Sequence, residues 1–151
     1  MVRRIRICVS TIFIFAMGTN CFGQSDNLPL KSWSGNPERE FVSYISGDGG
    51  LNKFSTDFSA AINKKGYSVA TLNARSYFWS RKTPQQAAGD IESFLMDKLK
   101  HNPGQHFVLI GYSFGADVMP FIVNNLSSQL KNKIKSVILI SPSTTTDFQI
   151  H

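Results

Sequence analysis

Beyond residue 23 the chain has no cysteine, since its two, Cys8 and Cys21, both lie near the amino terminus. That excludes a disulfide framework and a thiol nucleophile from the rest of the chain, and with them the soft ligands of structural zinc. Histidine is scarce as well. His101, His106 and His151 show no paired spacing with one another or with carboxylates, so the expectation is a protein with no bound metal and no cofactor. Charged residues make up only 17%. No Lys/Arg cluster is interleaved with aromatics as nucleic-acid surfaces require, which leaves a DNA or RNA partner without support. There is no repeat and no low-complexity tract. The apolar run from Ile7 to Met17 is shorter than the roughly 20 residues that span a bilayer.

What the chain does have is apolar material for one core. With 151 residues, 42% of them hydrophobic, twelve Phe and two Trp, it is long enough for a single domain, and side chains of that size offset the entropy of ordering. The first segment stands apart: Arg3, Arg4 and Arg6 precede the Ile7 to Met17 run, which ends in Gly18, Thr19 and Asn20. That order is a secretory signal layout, expected over 1–23 with cleavage before Gln24, and it implies a periplasmic or secreted protein. A lipid-modified Cys21 is the alternative. Removing 1–23 takes away three arginines and no acid, leaving 13 basic against 10 acidic residues and a formal charge of +3 in place of +6. The basic balance is therefore partly the signal's own, and what remains fits mild attraction to anionic lipid.

Residues 24–39 are polar and punctuated by Pro29, Gly35 and Pro37, which reads as a leader with one short edge strand near Leu28 to Trp33. From Glu40 onward β-rich runs alternate with amphipathic stretches, the pattern of βαβ units around a mostly parallel sheet with helices on both faces. Strands are expected at Phe41 to Ile45, Tyr67 to Leu72, Phe107 to Ile110 and Val137 to Ile140. Between the first two, Phe54, Phe58, Ala61 and Ile62 recur on one helical face, and Gly66 ends that helix. Thr83-Pro84-Gln85-Gln86 is a capping-box start, with Ala87, Ile91, Phe94, Leu95 and Leu99 as the buried stripe and Asn102-Pro103-Gly104 as the stop. After the third strand Met119, Ile122, Val123, Leu126 and Leu130 keep helical spacing. Pro120 within that stretch is expected to kink its early turns, because it has no N–H to donate to residue 116.

The chemistry is concentrated at Gly111-Tyr112-Ser113-Phe114-Gly115. A serine hydroxyl is a weak nucleophile, and enzymes expose it on a tight turn within reach of a base and of backbone donors for the developing oxyanion. Glycines two residues to either side are what such a strand-to-helix bend requires, and here the pentapeptide follows an expected strand and opens an expected helix. Ser113 is the candidate nucleophile; an ordinary turn with a capping serine is the alternative. The Phe114 amide, next along the chain, is one candidate oxyanion donor. The second is expected from the glycine-rich loop Ser46-Gly47-Asp48-Gly49-Gly50, among the amides of Asp48, Gly49 and Gly50, unless Asp48 merely caps the next helix. No lysine followed by Ser/Thr closes this loop as in a phosphate-binding loop.

Tyr77-Phe78-Trp79 follows the second strand, at the end of the sheet where ligands bind in open α/β folds, and is a candidate acyl or lipid pocket; core packing is the alternative. Arg75 and Arg81 flank it, as solvated charges or as contacts for an anionic head group. Asp117, early in the helix after Ser113, is favoured there by the amide dipoles, and its place on the nucleophile's own helix argues against the role of triad acid.

These blocks together resemble the bacterial virulence proteins of the VirJ/AcvB type, a branch of the α/β-hydrolases. The resemblance runs from about Phe41 to His151, through Ser46-Gly47-Asp48-Gly49-Gly50, Tyr77-Phe78-Trp79 with Thr83-Pro84, Gly111-Tyr112-Ser113-Phe114-Gly115-Ala116-Asp117 with Pro120, and Ser141-Pro142-Ser143 with Asp147-Phe148. It implies an export signal, a nucleophile at Ser113, and an esterase-like action on an ester such as aminoacylated phosphatidylglycerol. Leu51 departs from it where tryptophan is usual, and Asn73 where aspartate is.

In α/β-hydrolases the triad runs Ser, then Asp or Glu, then His. After Ser113 the only acids are Asp117 and Asp147 and the only histidine is His151, four residues from Asp147 and poorly placed to form a relay with it. The expectation is a C-terminally truncated hydrolase domain over 40–151, with an unpaired last strand and an incompletely covered nucleophile helix. The alternative is an inactive fragment serving as a lipid-binding or interaction module.

Overall fold

The computed structural model describes residues 28–144 and 146–150; the expected signal segment, Cys21 and His151 lie outside them. Five strands form one sheet in the order β1-β3-β2-β4-β5: β1 (Leu30–Trp33), β2 (Phe41–Ile45), β3 (Ser68–Leu72), β4 (Phe107–Tyr112) and β5 (Ile134–Ile140). β1 runs antiparallel to β3 at one edge, and the other pairings are parallel. The inner strands β2, β3 and β4 are the enclosed ones, with Tyr44, Val69 and Phe107 fully buried, as expected of strands covered on both faces.

Strand alternation divides the core in two. Ile45, Leu72, Phe107 and Leu109 point to a face covered by α2 (Ala74–Tyr77), α3 (Pro84–His101) and α4 (Phe114–Asn125), where they meet Phe78, Leu95, Met119 and Ile122. Phe148 and Ile150, near the carboxyl end, join the same cluster. The single turn α5 (Ser128–Lys131) adds Leu130. Val42, Tyr44, Val69 and Ile110 point to the opposite face, covered by α1 (Lys53–Lys64) through Phe58 and Ile62.

The helix starts follow local chemistry. Thr83 accepts from the Gln86 amide and the Gln86 side chain accepts from the Thr83 amide, with Pro84 opening α3, the expected reciprocal cap. Asn52 and Asn73 cap α1 and α2. The buried face of α1 differs from expectation. Ser55 and Ser59 face the sheet, whereas Phe54 is 49% exposed, Phe58 and Ile62 are half-covered and Ala61 is exposed. The small hydroxyls fit because they are satisfied inside: Ser59 Oγ donates to the Ser55 carbonyl at 2.8 Å and lies 2.6 Å from Thr71 Oγ1, and the Tyr44 hydroxyl reaches Ser55 Oγ at 3.4 Å. Buried hydroxyls with partners cost little.

β5 is the second edge. Val137, Ile138 and Leu139 are about 40% exposed, as expected for a last strand with an unpaired side. Among the described residues no helix is long and apolar enough to cross a membrane.

Candidate active site

Ser113 sits between the last residue of β4 and the first of α4 with φ 50° and ψ −121°, a backbone state that costs a non-glycine residue of order 1–3 kcal/mol and persists only where surroundings over-determine it. Here they do. The Ser113 amide donates to the Ile140 carbonyl of β5 at 2.9 Å, and the Ser113 carbonyl accepts from the amides of Ala116 and Asp117 at 2.7 and 3.0 Å. A Cβ on Gly111 would collide with the Gly115 carbonyl and Ala116, and one on Gly115 would collide with the Ile45 carbonyl of β2. The two glycines let α4 start directly against the central strands. The Ser113 side chain makes no capping hydrogen bond to α4, so the hydroxyl is not spent on the helix.

The Ser46–Gly50 loop comes to this turn through Gly47, whose Cβ position lies 3.3 Å from the Ser113 Cβ and from the Tyr112 ring. Ser46, fully buried, holds the loop in place: its Oγ accepts from the Ala74 amide at 3.0 Å and donates to the Gly47 carbonyl at 3.3 Å. The three expected donors separate at this point. The Gly50 amide donates to the Gly47 carbonyl, closing a turn at φ 65°, and the Gly49 amide donates to Asp48 Oδ1. Both are occupied, which removes Gly49 and Gly50 in this conformation. The amide of Asp48 has no acceptor among the described residues, nor do those of Gly47 and Phe114. Sequence reasoning missed Gly47 as the glycine of the loop that meets Ser113, because the pattern of glycines says nothing of which one faces the serine.

Tyr77-Phe78-Trp79 is corrected as a pocket-lining triplet. Tyr77 and Phe78 are 7% and 0% exposed: the Phe78 ring lies 5.0 Å from Phe114 and 5.9 Å from Phe148, and Tyr77 packs edge-on against it. The Tyr77 hydroxyl donates to Asp90 Oδ2; burial, then that bond, push its ionisation well above the ordinary tyrosine value. Only Trp79 remains at the surface, 62% exposed. The rings pack because α2, a single turn, swings the chain back over the α3–α4 face.

Asp117 does more than face the helix dipole. Its two carboxylate oxygens accept from the amide and the hydroxyl of Ser143, at 2.5 and 2.7 Å, fastening the segment after β5 to the first turn of α4. That clamp had no sequence signal beyond Asp117's place one turn past Ser113. A groove of about 310 Å³ lined by Asp117, Phe121, Ser143, Thr144 and Thr146 opens beside it. Asp147 pairs with Arg81 at 2.8 Å and accepts from its own neighbour's amide, Phe148. His106 precedes β4 and His101 ends α3, so His106 lies about 20 Å from Ser113 along a six-residue strand. Neither meets the serine. Among the described residues no group of three or more His, Cys, Asp or Glu could hold a metal.

Against known structures, the chain is similar to a protein of unknown function from Agrobacterium tumefaciens (19% identity, TM-score 0.58, covering 80% of this chain and 64% of that one). It is also similar to a protein described as a dienelactone hydrolase from Klebsiella pneumoniae (12%, 0.60, 81% and 57%), and to a thermostable carboxyl esterase from Bacillus coagulans (15%, 0.51, 72% and 39%). This chain thus spans less than two thirds of each. No curated protein matches it. At these identities the likeness establishes the α/β-hydrolase fold. The model of the bacterial virulence protein family VirJ matches residues 40–151, and with the fold and the Gly111–Gly115 turn in place, the chain belongs to that family.

Proposed function

We propose that the chain carries the nucleophile of a serine hydrolase acting on esters in the periplasm or outside the cell. The observation that supports this best is Ser113 itself, at positive φ with a hydroxyl that does not cap its helix, next to the unoccupied amide of Phe114 and to Gly47 of a loop whose Asp48 amide is also unoccupied. In the proposed reaction Ser113 Oγ bonds to the ester carbonyl carbon as its proton passes to a base. The resulting oxyanion accepts from the Phe114 and Asp48 amides, and collapse breaks the ester bond, expelling the alcohol and leaving acyl-Ser113 for hydrolysis by water. The described residues do not supply the base, since His101 and His106 are remote from the serine. An aminoacylated phosphatidylglycerol is the ester we assign, a substrate with an acyl group small enough for the Asp117–Phe121 groove.

A second reading rests on that same lack of a described base: a chain that keeps the scaffold and binds lipid without turning it over. Fluorophosphonate labelling of the full chain, read by mass spectrometry, separates the two. Covalent label on Ser113, lost in Ser113→Ala, is the expected outcome for the hydrolase. A chain left unlabelled that still binds aminoacylated lipid, with Ser113→Ala binding equally well, would support the second.

A further inference from the structure

Two residues other than glycine are held at positive φ among the described residues, and they are neighbours at the same end of the sheet. Ser113 follows β4 with φ 50° and Ser141 follows β5 with φ 52°. Tyr112 and Ile140, the residues before them, are partners in the parallel register of the two strands, so both strands leave the sheet at one level. Ser141 also precedes Pro142, whose ring narrows the backbone choice of the residue before it. Strain of this kind persists only where the surroundings over-determine it. β5 itself gives little support, being an edge strand that pairs with β4 alone among the described strands.

Hydrogen bonds close a ring through both residues. The Ser113 amide donates to the Ile140 carbonyl at 2.9 Å. Three residues on, the Ser143 amide and hydroxyl donate to the two carboxylate oxygens of Asp117 at 2.5 and 2.7 Å. The Asp117 amide donates in turn to the Ser113 carbonyl at 3.0 Å. The link from Asp117 to Ser143 is the only one in this ring made by side chains, and a carboxylate makes it with two charge-assisted bonds.

We propose that Asp117 is a positioning residue for Ser113: by fastening Ser143 it fixes the exit of β5, and with it the Ile140 carbonyl that holds the Ser113 amide. Released from Asp117, Ser141 can return to negative φ and the end of β5 frays. Ser113 then loses the partner that helps keep its own turn at positive φ. The consequence for reactivity rests on the reading of Ser113 as the nucleophile, since a group misplaced by about 1 Å reacts on the order of 10²-fold more slowly; the geometric link does not. Asp117 acts here through shape rather than charge. Asparagine can therefore stand in for it, its carbonyl oxygen accepting from the Ser143 amide and its NH2 donating to the Ser143 hydroxyl.

The test compares Asp117→Ala, Asp117→Asn and Ser143→Ala with the native full chain in two measurements. Amide hydrogen exchange, resolved by residue with NMR, reads Ser113 against Phe107, whose amide donates to the Lys133 carbonyl at the opposite end of the same strand pair. Exchange at Ser113 is expected to be about tenfold faster in Asp117→Ala, severalfold faster in Ser143→Ala, which keeps the amide bond, and within about twofold of native in Asp117→Asn, with Phe107 unchanged throughout. Saturable fluorophosphonate labelling gives the second: Asp117→Ala lowers the limiting rate at Ser113 about tenfold with the half-saturating concentration unchanged, and Asp117→Asn restores it to within about threefold. Native exchange at Ser113 in Asp117→Ala, or labelling at the native limiting rate, overturns the proposal. Equal acceleration at Phe107 overturns it in favour of a general support of the fold. A loss in Asp117→Asn as large as in Asp117→Ala overturns it in favour of a carboxylate acting through its charge. If Asp117→Ala does not fold, unchanged exchange in Ser143→Ala overturns it equally. A native chain that is never labelled, with acceleration confined to Ser113 in the variants, would count against the hydrolase alone.

Discussion

The two faces of the sheet are unequally covered, and the inequality shows what each sequence pattern was for. One face is packed by α2, α3, α4 and the segment around Phe148, with Phe78, Leu95 and Ile122 fully enclosed. Among the described residues the other is covered by α1 alone, resting on two serines, with an apolar groove of about 380 Å³ lined by Val42, Ile62, Tyr67, Val108, Ile110 and Ile138. Ser113 lies where the covered face meets the sheet edge, so the rigidity of its turn derives from the better-packed side: α4 presses on β2 and β4 through Gly115 and Gly111.

The strongest way to break the comparison is a cavity on the covered face. Leu95→Ala, at a site with no exposure, is expected to cost about 2–5 kcal/mol, measured by urea denaturation, and to disorder the Ser113 turn with it. A loss below about 1 kcal/mol would mean that this face is less tightly packed than described.

The next effect is a pH dependence that differs between the faces. Tyr77 on the covered face and Tyr44 on the other are both pushed upward by burial, Tyr77 further by its bond to Asp90. The folded chain holds these protons where the unfolded chain releases them. Their contribution is therefore fully present below the ordinary tyrosine pKa of about 10 and falls as pH rises beyond it. Denaturation between pH 9 and 11 should show this decline, and Tyr77→Phe should remove the larger part. An equal decline in that variant would assign the dependence to Tyr44 instead.

The smallest effect is expected on the open face. Ile138→Ser, at 43% exposure on β5, should alter stability by no more than about 0.5 kcal/mol and should reduce any aggregation driven by the apolar edge. A large loss of stability would show that the groove is covered in solution.

Much of this architecture was legible in the sequence because its signals are local. The Thr83–Gln86 cap, the apolar β4 run and the glycines around Ser113 each act within a few residues, and each is found where expected. The edge strand near Trp33 and the exposed β5 edge also follow from pattern and position. The face of α1 was misread because burial was inferred from apolarity. Ser55 and Ser59 are buried by partners, Thr71 and Tyr44, that are distant in the chain. The aromatic triplet failed as a unit for a related reason: α2 turns two of its rings into the core and leaves the third outside.

The sequence by itself determined the alternation of strands and helices, the tight turn at Ser113 and the scarcity of histidine, since each depends on residue type and near-neighbour spacing. Only the tertiary structure decided which amides of the Ser46–Gly50 loop remain free, that Asp117 fastens Ser143, and that Trp79 rather than Tyr77 or Phe78 reaches solvent. Those outcomes depend on which carbonyl or ring comes to lie opposite once the sheet has formed, and separation along the chain carries no information about that.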